Sequence, residues 1–181
     1  MITLYTDGPA FLTLLQREHA RPLFRLIDAN RSFLQPWLPW MNRILTVSDM
    51  ENYILSSLSR FHLKQEAHFG IWYKGELAGS VTVERIDSVN QVAEIGYWLA
   101  PAFTGNGIMT KAVQRLIDYL IQERRINRVE IRTEATNRSS QTVALRLGFC
   151  HEGTLREAGK KAGVYVDHYL FGLVSSQWHK E

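Results

Sequence analysis

The sequence predicts an α+β fold with a mixed, mostly antiparallel sheet. Three observations carry that reading. Residues 68–100 repeat with period two and are broken by Lys74-Gly75-Glu76 and by Asp87 to Asn90, as in a hairpin followed by a third strand. Residues 94–121, EIGYWLAPAFTGNGIMTKAVQRLIDYLI, read as a strand, a glycine turn and an amphipathic helix. After a further strand at 128–134 and a helix at 137–148, two closing strands, 149–155 and 164–174, complete the chain.

Taken in order, Ile2 to Tyr5 and Phe11 to Leu15 are short strands around an Asp7-Gly8-Pro9 turn. Glu18 to Asn30 places Ala20, Leu23, Phe24, Leu26 and Ile27 on one helical face. Two prolines then interrupt FLQPWLPW, residues 33–40, whose Phe33, Trp37 and Trp40 suit a core edge or the wall of a ligand cleft. Ser48 with Glu51 reads as a capping box for a helix reaching about Lys64. In the central stretch Pro101 ends the strand, and Gly105 and Gly107 bracket Asn106 before the helix of Ile108, Ala112, Val113, Leu116, Ile117, Leu120 and Ile121. A glycine-flanked helix start leaves backbone N–H groups unpaired, beside the positive end of the helix dipole, where a phosphate can approach closely. A plain strand-to-helix turn accounts equally well for the glycines alone. The segment lacks the Gly-Lys-Ser/Thr end of a Walker loop and the third glycine of a dinucleotide fingerprint. This helix joins two strands that can lie parallel by a right-handed crossover. Gly148 suits a helix C-terminal stop, and the tail SSQWHKE suits a last helical turn.

The 181 residues and their formal net charge of +3 describe one domain, 1–181, with only weak attraction for polyanions. Arg124, Arg125, Arg128 and Arg132 read as a solvated helix end and strand face rather than a nucleic-acid groove. A single cysteine, Cys150, excludes an intrachain disulfide, fits a reducing cytoplasm, and reads as inert packing beside Phe149. No apolar run has the length of a membrane span, and the N-terminus carries no signal-peptide pattern. No metal ligands fall at a recognised spacing.

AEIGYWLAPAFTGNGIMTKAV followed by NRSSQTVALRLGFCHEG, behind the hairpin and FLQPWLPW, resembles the GNAT acetyl-CoA-dependent N-acetyltransferases, and more narrowly their RimJ/RimL branch, over nearly the whole chain. The resemblance implies a direct acetyl transfer from acetyl-CoA to a primary amine. Its acceptor would be the N-terminus of a ribosomal protein, or else an antibiotic, polyamine or amino acid. No membrane or nucleic-acid partner is implied, and a homo-oligomer is compatible. The family's phosphate loop, Gln/Arg-x-x-Gly-x-Gly/Ala, falls on Thr104, Gly105, Asn106, Gly107, Ile108 and Met109, with Thr104 in place of the usual Gln or Arg and Met109 in place of the small last residue. Backbone at Tyr97, Trp98 and Leu99 would pair with the pantetheine arm like an added strand. Asn137 would hold that arm or a water, and Ser140 would hydrogen-bond the leaving thiolate; both residues also suit simple N-capping. A backbone N–H near Leu99 would stabilise the oxyanion. Glu94 and Glu84 are candidate bases, although either one taken singly reads more readily as a solvated or ion-paired carboxylate, and Glu157 is a third candidate. His68, His151 and His168 lie in strands and read as structural. A non-catalytic acyl-CoA-binding module is the competing class, and it has no use for a thiolate partner.

Overall fold

The computed structural model describes residues 2–178. Eight strands form one sheet in the order β1-β2-β3-β4-β5-β6-β8-β7. They are β1 (Thr3–Tyr5), β2 (Ala10–Leu14), β3 (Ala67–Tyr73), β4 (Glu76–Asp87), β5 (Val92–Leu99), β6 (Arg128–Glu134), β7 (Cys150–Lys161) and β8 (Val164–Val174). Every neighbouring pair is antiparallel except β5 and β6, which the crossover helix α4 (Ile108–Asp118) makes parallel. The remaining α-helices are α1 (Ala20–Ala29), α2 (Arg31–Leu34), α3 (Val47–His62) and α5 (Arg138–Arg146), and a π-helical turn, Tyr119–Glu123, continues α4.

Two apolar cores flank the sheet. One joins α4 and α5 to the strands through Ile95, Ile131, Ala112, Val113, Leu116 and Ala144. The other joins α1 and α3 to the opposite face through Leu23, Ile27, Met50, Ile54 and Trp98. Alternation along β5 explains this division: Ile95, Tyr97 and Leu99 pack towards α4, while Trp98 is buried towards α1. Each fully buried aliphatic side chain is worth about 1.5–3 kcal/mol, so the stripe on α4 is a major anchor of its N-terminus.

Three expectations change. The capping box of α3 is built by Thr46 and Asp49: Thr46 Oγ1 accepts from the Asp49 N–H at 3.1 Å and Asp49 Oδ2 accepts from the Thr46 N–H at 2.8 Å. Ser48 lies inside the helix, and Glu51 instead accepts from Arg17 at 2.9 Å. The strand expected at 149–155 runs on to Lys161, because a register shift between Leu155 and Gly159 absorbs the irregular residues and lets pairing with β8 resume. Cys150 is in a strand but exposed, not packed in the core. Of the tail, Ser175–Gln177 form a 3-10 turn, and residues 179–181 lie outside the described part.

Candidate active site

A cleft of about 1370 Å³ opens where the sheet comes apart. Pairing between β5 and β6 stops at Ile95 and Ile131. Beyond that point the Ala100 N–H donates to Ala78 O on β4, at 2.9 Å. Backbone N–H groups alternate in direction along a strand, so those of Tyr97 and Leu99 point away from β4, into the gap that β6 has vacated. The cleft therefore begins with a strand edge free to receive an extended polar chain.

The end of that strand leads into the glycine turn. Gly105 and Gly107 have φ of +80° and +70°, in the left-handed region that favours glycine. A Cβ at either position would meet no atom within 4 Å, so the surface above the loop is open. Gly107 is the N-cap of α4 and supplies no side-chain cap, which leaves the first-turn N–H groups available to a ligand. Thr104, Gly105, Gly107, Ile108 and Met109 line the cleft, whereas Asn106 turns aside and donates to Thr104 O at 3.2 Å. The Ile108 and Met109 side chains are buried in the α4 core, so it is their backbone that the loop offers to the cleft.

The opposite wall is the start of α5. Asn137 Oδ1 accepts from the Ser140 N–H at 3.2 Å and so caps the helix. Ser140 Oγ and Tyr97 Oη lie 3.1 Å apart, and the Tyr97 hydroxyl also donates to Ser140 O at 3.0 Å. Burial pushes the Tyr97 hydroxyl up to about 12, against a smaller lowering by Ser140, so it stays protonated at neutral pH. The sequence reading used only the backbone of Tyr97. Its hydroxyl crosses the split to Ser140, 43 residues away, a contact no local pattern announces.

Among the carboxylates, Glu84 lines the cleft and Glu94 and Glu157 do not. Glu84 is the extra residue of a bulge between Val83 and Arg85, a device that re-aims a side chain. Its Oε1 would lie 2.9 Å from a Cβ placed on Gly96, so the carboxylate sits over β5 just past the last β5–β6 pair. Glu94 faces Arg132 and Arg85 at 3.5 and 3.8 Å. Glu157, in a left-handed conformation at φ +52°, is exposed on β7. The arginine cluster is largely tied up: Arg128 pairs with Glu130 at 2.8 Å and with Glu152, and Arg132 pairs with Glu94 and Glu130.

On the α1–α3 side Trp40 stacks on Tyr53 with centroids 4.9 Å apart, and both line the cleft. Behind them, His68 Nδ1 meets Tyr53 Oη at 3.0 Å and His68 Nε2 meets Glu66 at 3.2 Å. Burial holds the His68 imidazole below its ordinary value, against the raising effect of Glu84 and Glu66. His151 packs against Tyr169 and Phe171, while His168, the register partner of Glu134, faces the cleft.

A split sheet that offers free N–H groups to an extended arm, beside a glycine-started helix that can hold phosphates, is built for a phosphate-bearing co-substrate with an extended polar arm. The chain belongs to the GNAT acetyltransferase family: the family's "Acetyltransferase (GNAT) domain" matches residues 10–150. The chain is 32% identical over 167 residues to the ribosomal-protein-serine acetyltransferase of Escherichia coli (strain K12), covering 92% of this chain and 93% of that one. Among solved structures it resembles the microcin C7 self immunity acetyltransferase MccE in complex with acetyl-CoA and AMP, at 30% identity and a TM-score of 0.88 over 93% of both chains. It shares its fold with RimL, a ribosomal L7/L12 alpha-N-protein acetyltransferase solved with coenzyme A, at a TM-score of 0.94, 24% identity and coverage of 97% and 99%. The protein is thus an N-acetyltransferase of RimJ/RimL type, with acetyl-CoA as its co-substrate. Among the described residues no helix is long and apolar enough to cross a membrane.

Proposed function

We propose that the chain acts as one domain in the cytoplasm, transferring acetyl from acetyl-CoA to the N-terminal α-amine of a protein, a ribosomal protein in the first instance. The observation that carries the reading is the split beyond Ile95 and Ile131, which leads on one side to the glycine loop and on the other to the Ser140–Tyr97 hydroxyl pair.

In this reading the N–H groups of the loop from Thr104 to Met109 hold the diphosphate, and the strand edge at Tyr97, Trp98 and Leu99 aligns the pantetheine arm. Asn137 spends its oxygen on the cap, and its amide N–H groups are left to face the arm. The neutral amine attacks the thioester carbonyl and forms the C–N bond, a backbone N–H of the split strand receives the oxyanion, and the C–S bond breaks as the oxyanion collapses. Glu84, over Gly96, takes the amine proton. Ser140, whose hydroxyl donates to Tyr97 Oη in the free protein, turns that proton to the departing thiolate and hydrogen-bonds it. Of the two other carboxylates, Glu94 is engaged by two arginines and Glu157 is remote from the cleft.

A small cationic amine is the second reading, favoured by the aromatic wall of Trp37, Trp40 and Tyr53, which suits a compact acceptor as well as a peptide. The test is a melting assay with acetyl-CoA and with NADH, followed by thiol release with a peptide beginning with serine. A rise in Tm with acetyl-CoA alone, then peptide-dependent thiol release, is the expected result. A response to NADH alone would overturn the reading.

A further inference from the structure

Three residues from separate parts of the chain meet in the cleft. The Lys161 ammonium donates to both oxygens of Glu134, at 3.0 and 3.1 Å. The same ammonium stands 4.0 Å from the centroid of the Trp37 ring. A carboxylate on one side and an aromatic face on the other is a general recognition set for a primary ammonium. All three residues line the cleft that holds Ser140 and Glu84.

The lysine is presented on a slight support. Past the register shift between Leu155 and Gly159, β7 and β8 pair only through Gly159↔Val166, Lys160↔Tyr165 and Lys161↔Val164. The tip, Ala162 and Gly163, is left-handed at both residues, and Val164 and Tyr165 are 67% and 61% exposed. This arm has little buried apolar surface to fix it, so local opening is cheap relative to the rest of the sheet. Glu134 is anchored differently. It ends β6, its side chain is 12% exposed, and Thr136 also donates to it. Burial alone would push its carboxyl up, but the hydrogen bonds from Thr136 and Lys161 and the lysine's charge hold it below the ordinary value.

We propose that Glu134 and Trp37 form the subsite for the acceptor's ammonium group, and that Lys161 occupies this subsite in the free protein as an internal stand-in. The inference rests on the acetyl-transfer reading and names how the acceptor is first held. An arriving amine replaces the Lys161 ammonium, and the arm moves aside. Each contact it replaces is a single one made by a partly exposed ammonium, so the exchange is within reach of a small cation. An amine bound as its cation must then lose a proton before it attacks. That loss is cheap at neutral pH only for an amine of low pKa, such as an α-amine.

The test is a calorimetric titration of L-serinamide into protein saturated with coenzyme A, at about pH 6.5, where an α-amine is mostly charged. N-acetyl-L-serinamide, which has no charge, is the control. Lys161→Met should tighten serinamide binding roughly twofold to thirtyfold, the factor that removal of a weak internal competitor gives, and leave the control unchanged. Glu134→Gln should weaken serinamide in both the wild-type and the Lys161→Met protein, and Trp37→Leu should do so in the Lys161→Met protein. A lysine that merely braces the hairpin predicts the reverse. Unchanged or weaker serinamide binding in folded Lys161→Met protein would therefore overturn the proposal. The coenzyme A titration that precedes each run reads the acetyltransferase assignment separately. Should it give no heat, the serinamide series is run on the free protein, where the same signs apply.

Discussion

The two walls of the cleft are built from different materials. On the α4 side the groups offered to a ligand are backbone N–H groups: those of the glycine loop and those of Tyr97 and Leu99 on the split strand edge. On the α1–α3 side they are side chains: Glu84 on a bulge, Trp37 in an irregular loop, Glu134 at a strand end and Lys161 on an outer arm. A backbone wall cannot be changed by ordinary substitution, so it suits a co-substrate that stays the same. A side-chain wall can be altered one residue at a time, so it suits an acceptor that differs between relatives.

Breaking the backbone wall requires filling it. Gly107→Trp puts an indole into the open space above the loop and forces a side chain into φ +70°. The largest expected effect is loss of acetyl-CoA binding, measured by calorimetry and by disappearance of the Tm rise; ligand at a hundred times its Kd would otherwise add about 2.7 kcal/mol. Unchanged binding in the folded variant would place the phosphates elsewhere. Glu134→Gln and Lys161→Met, on the other wall, should leave acetyl-CoA affinity within about twofold, as expected of surface changes worth under 0.5 kcal/mol at that site.

Ser140→Ala sharpens the comparison at the seam between the walls. A hydrogen bond to a charged group is worth about 1.5–3 kcal/mol, so kcat should fall by roughly ten- to a hundredfold while acetyl-CoA affinity changes little. Weakened binding with unchanged turnover would return Ser140 to the role of a residue in the first turn of α5.

How much of this was legible in the sequence follows the same division. The glycine loop, the strand before it and the start of α5 are contiguous, so Gly105, Gly107, Asn137 and Ser140 could be placed by reading along the chain. The acceptor wall could not. Trp37, Glu134 and Lys161 come together only because β6 pairs with β8, β8 with β7, and the α2–α3 loop lies over them. The bulge that singles out Glu84 from Glu94 is equally silent, since both are strand glutamates until the register is known. The misplaced capping box has a local cause. Thr46 and Asp49 satisfy the same spacing rule as Ser48 and Glu51, two residues earlier, and the earlier pair wins because the Asp49 carboxylate reaches the N–H groups of both Leu45 and Thr46.

A smaller effect concerns the support behind the acceptor wall. Burial holds the His68 imidazole below the ordinary histidine value of about 6.5, so the unfolded chain binds more protons than the folded one as pH falls through that value. The contribution is fully present above about pH 6.5 and is lost as pH falls towards the folded-state pKa. Melting temperature should therefore decline below about pH 6.5, and His68→Gln should flatten the decline. The His19 imidazole is lowered by burial in the same sense, so the comparison is made in a His19→Gln background. An identical slope with and without His68 would remove the histidine from the account.

The central claim is that the side-chain wall presents an α-amine to acetyl-CoA held by the backbone wall. It is tested most directly by initial rates of thiol release near pH 7. The acceptors are peptides beginning with serine or alanine, blocked-terminus lysine peptides, spermidine and an aminoglycoside. An α-amine titrates roughly 2.5 units below a lysine, about 3.4 kcal/mol, so kcat/KM should favour free peptide termini over lysine by about two orders of magnitude. Strong turnover of spermidine and the aminoglycoside, with none on free peptide termini, would contradict it.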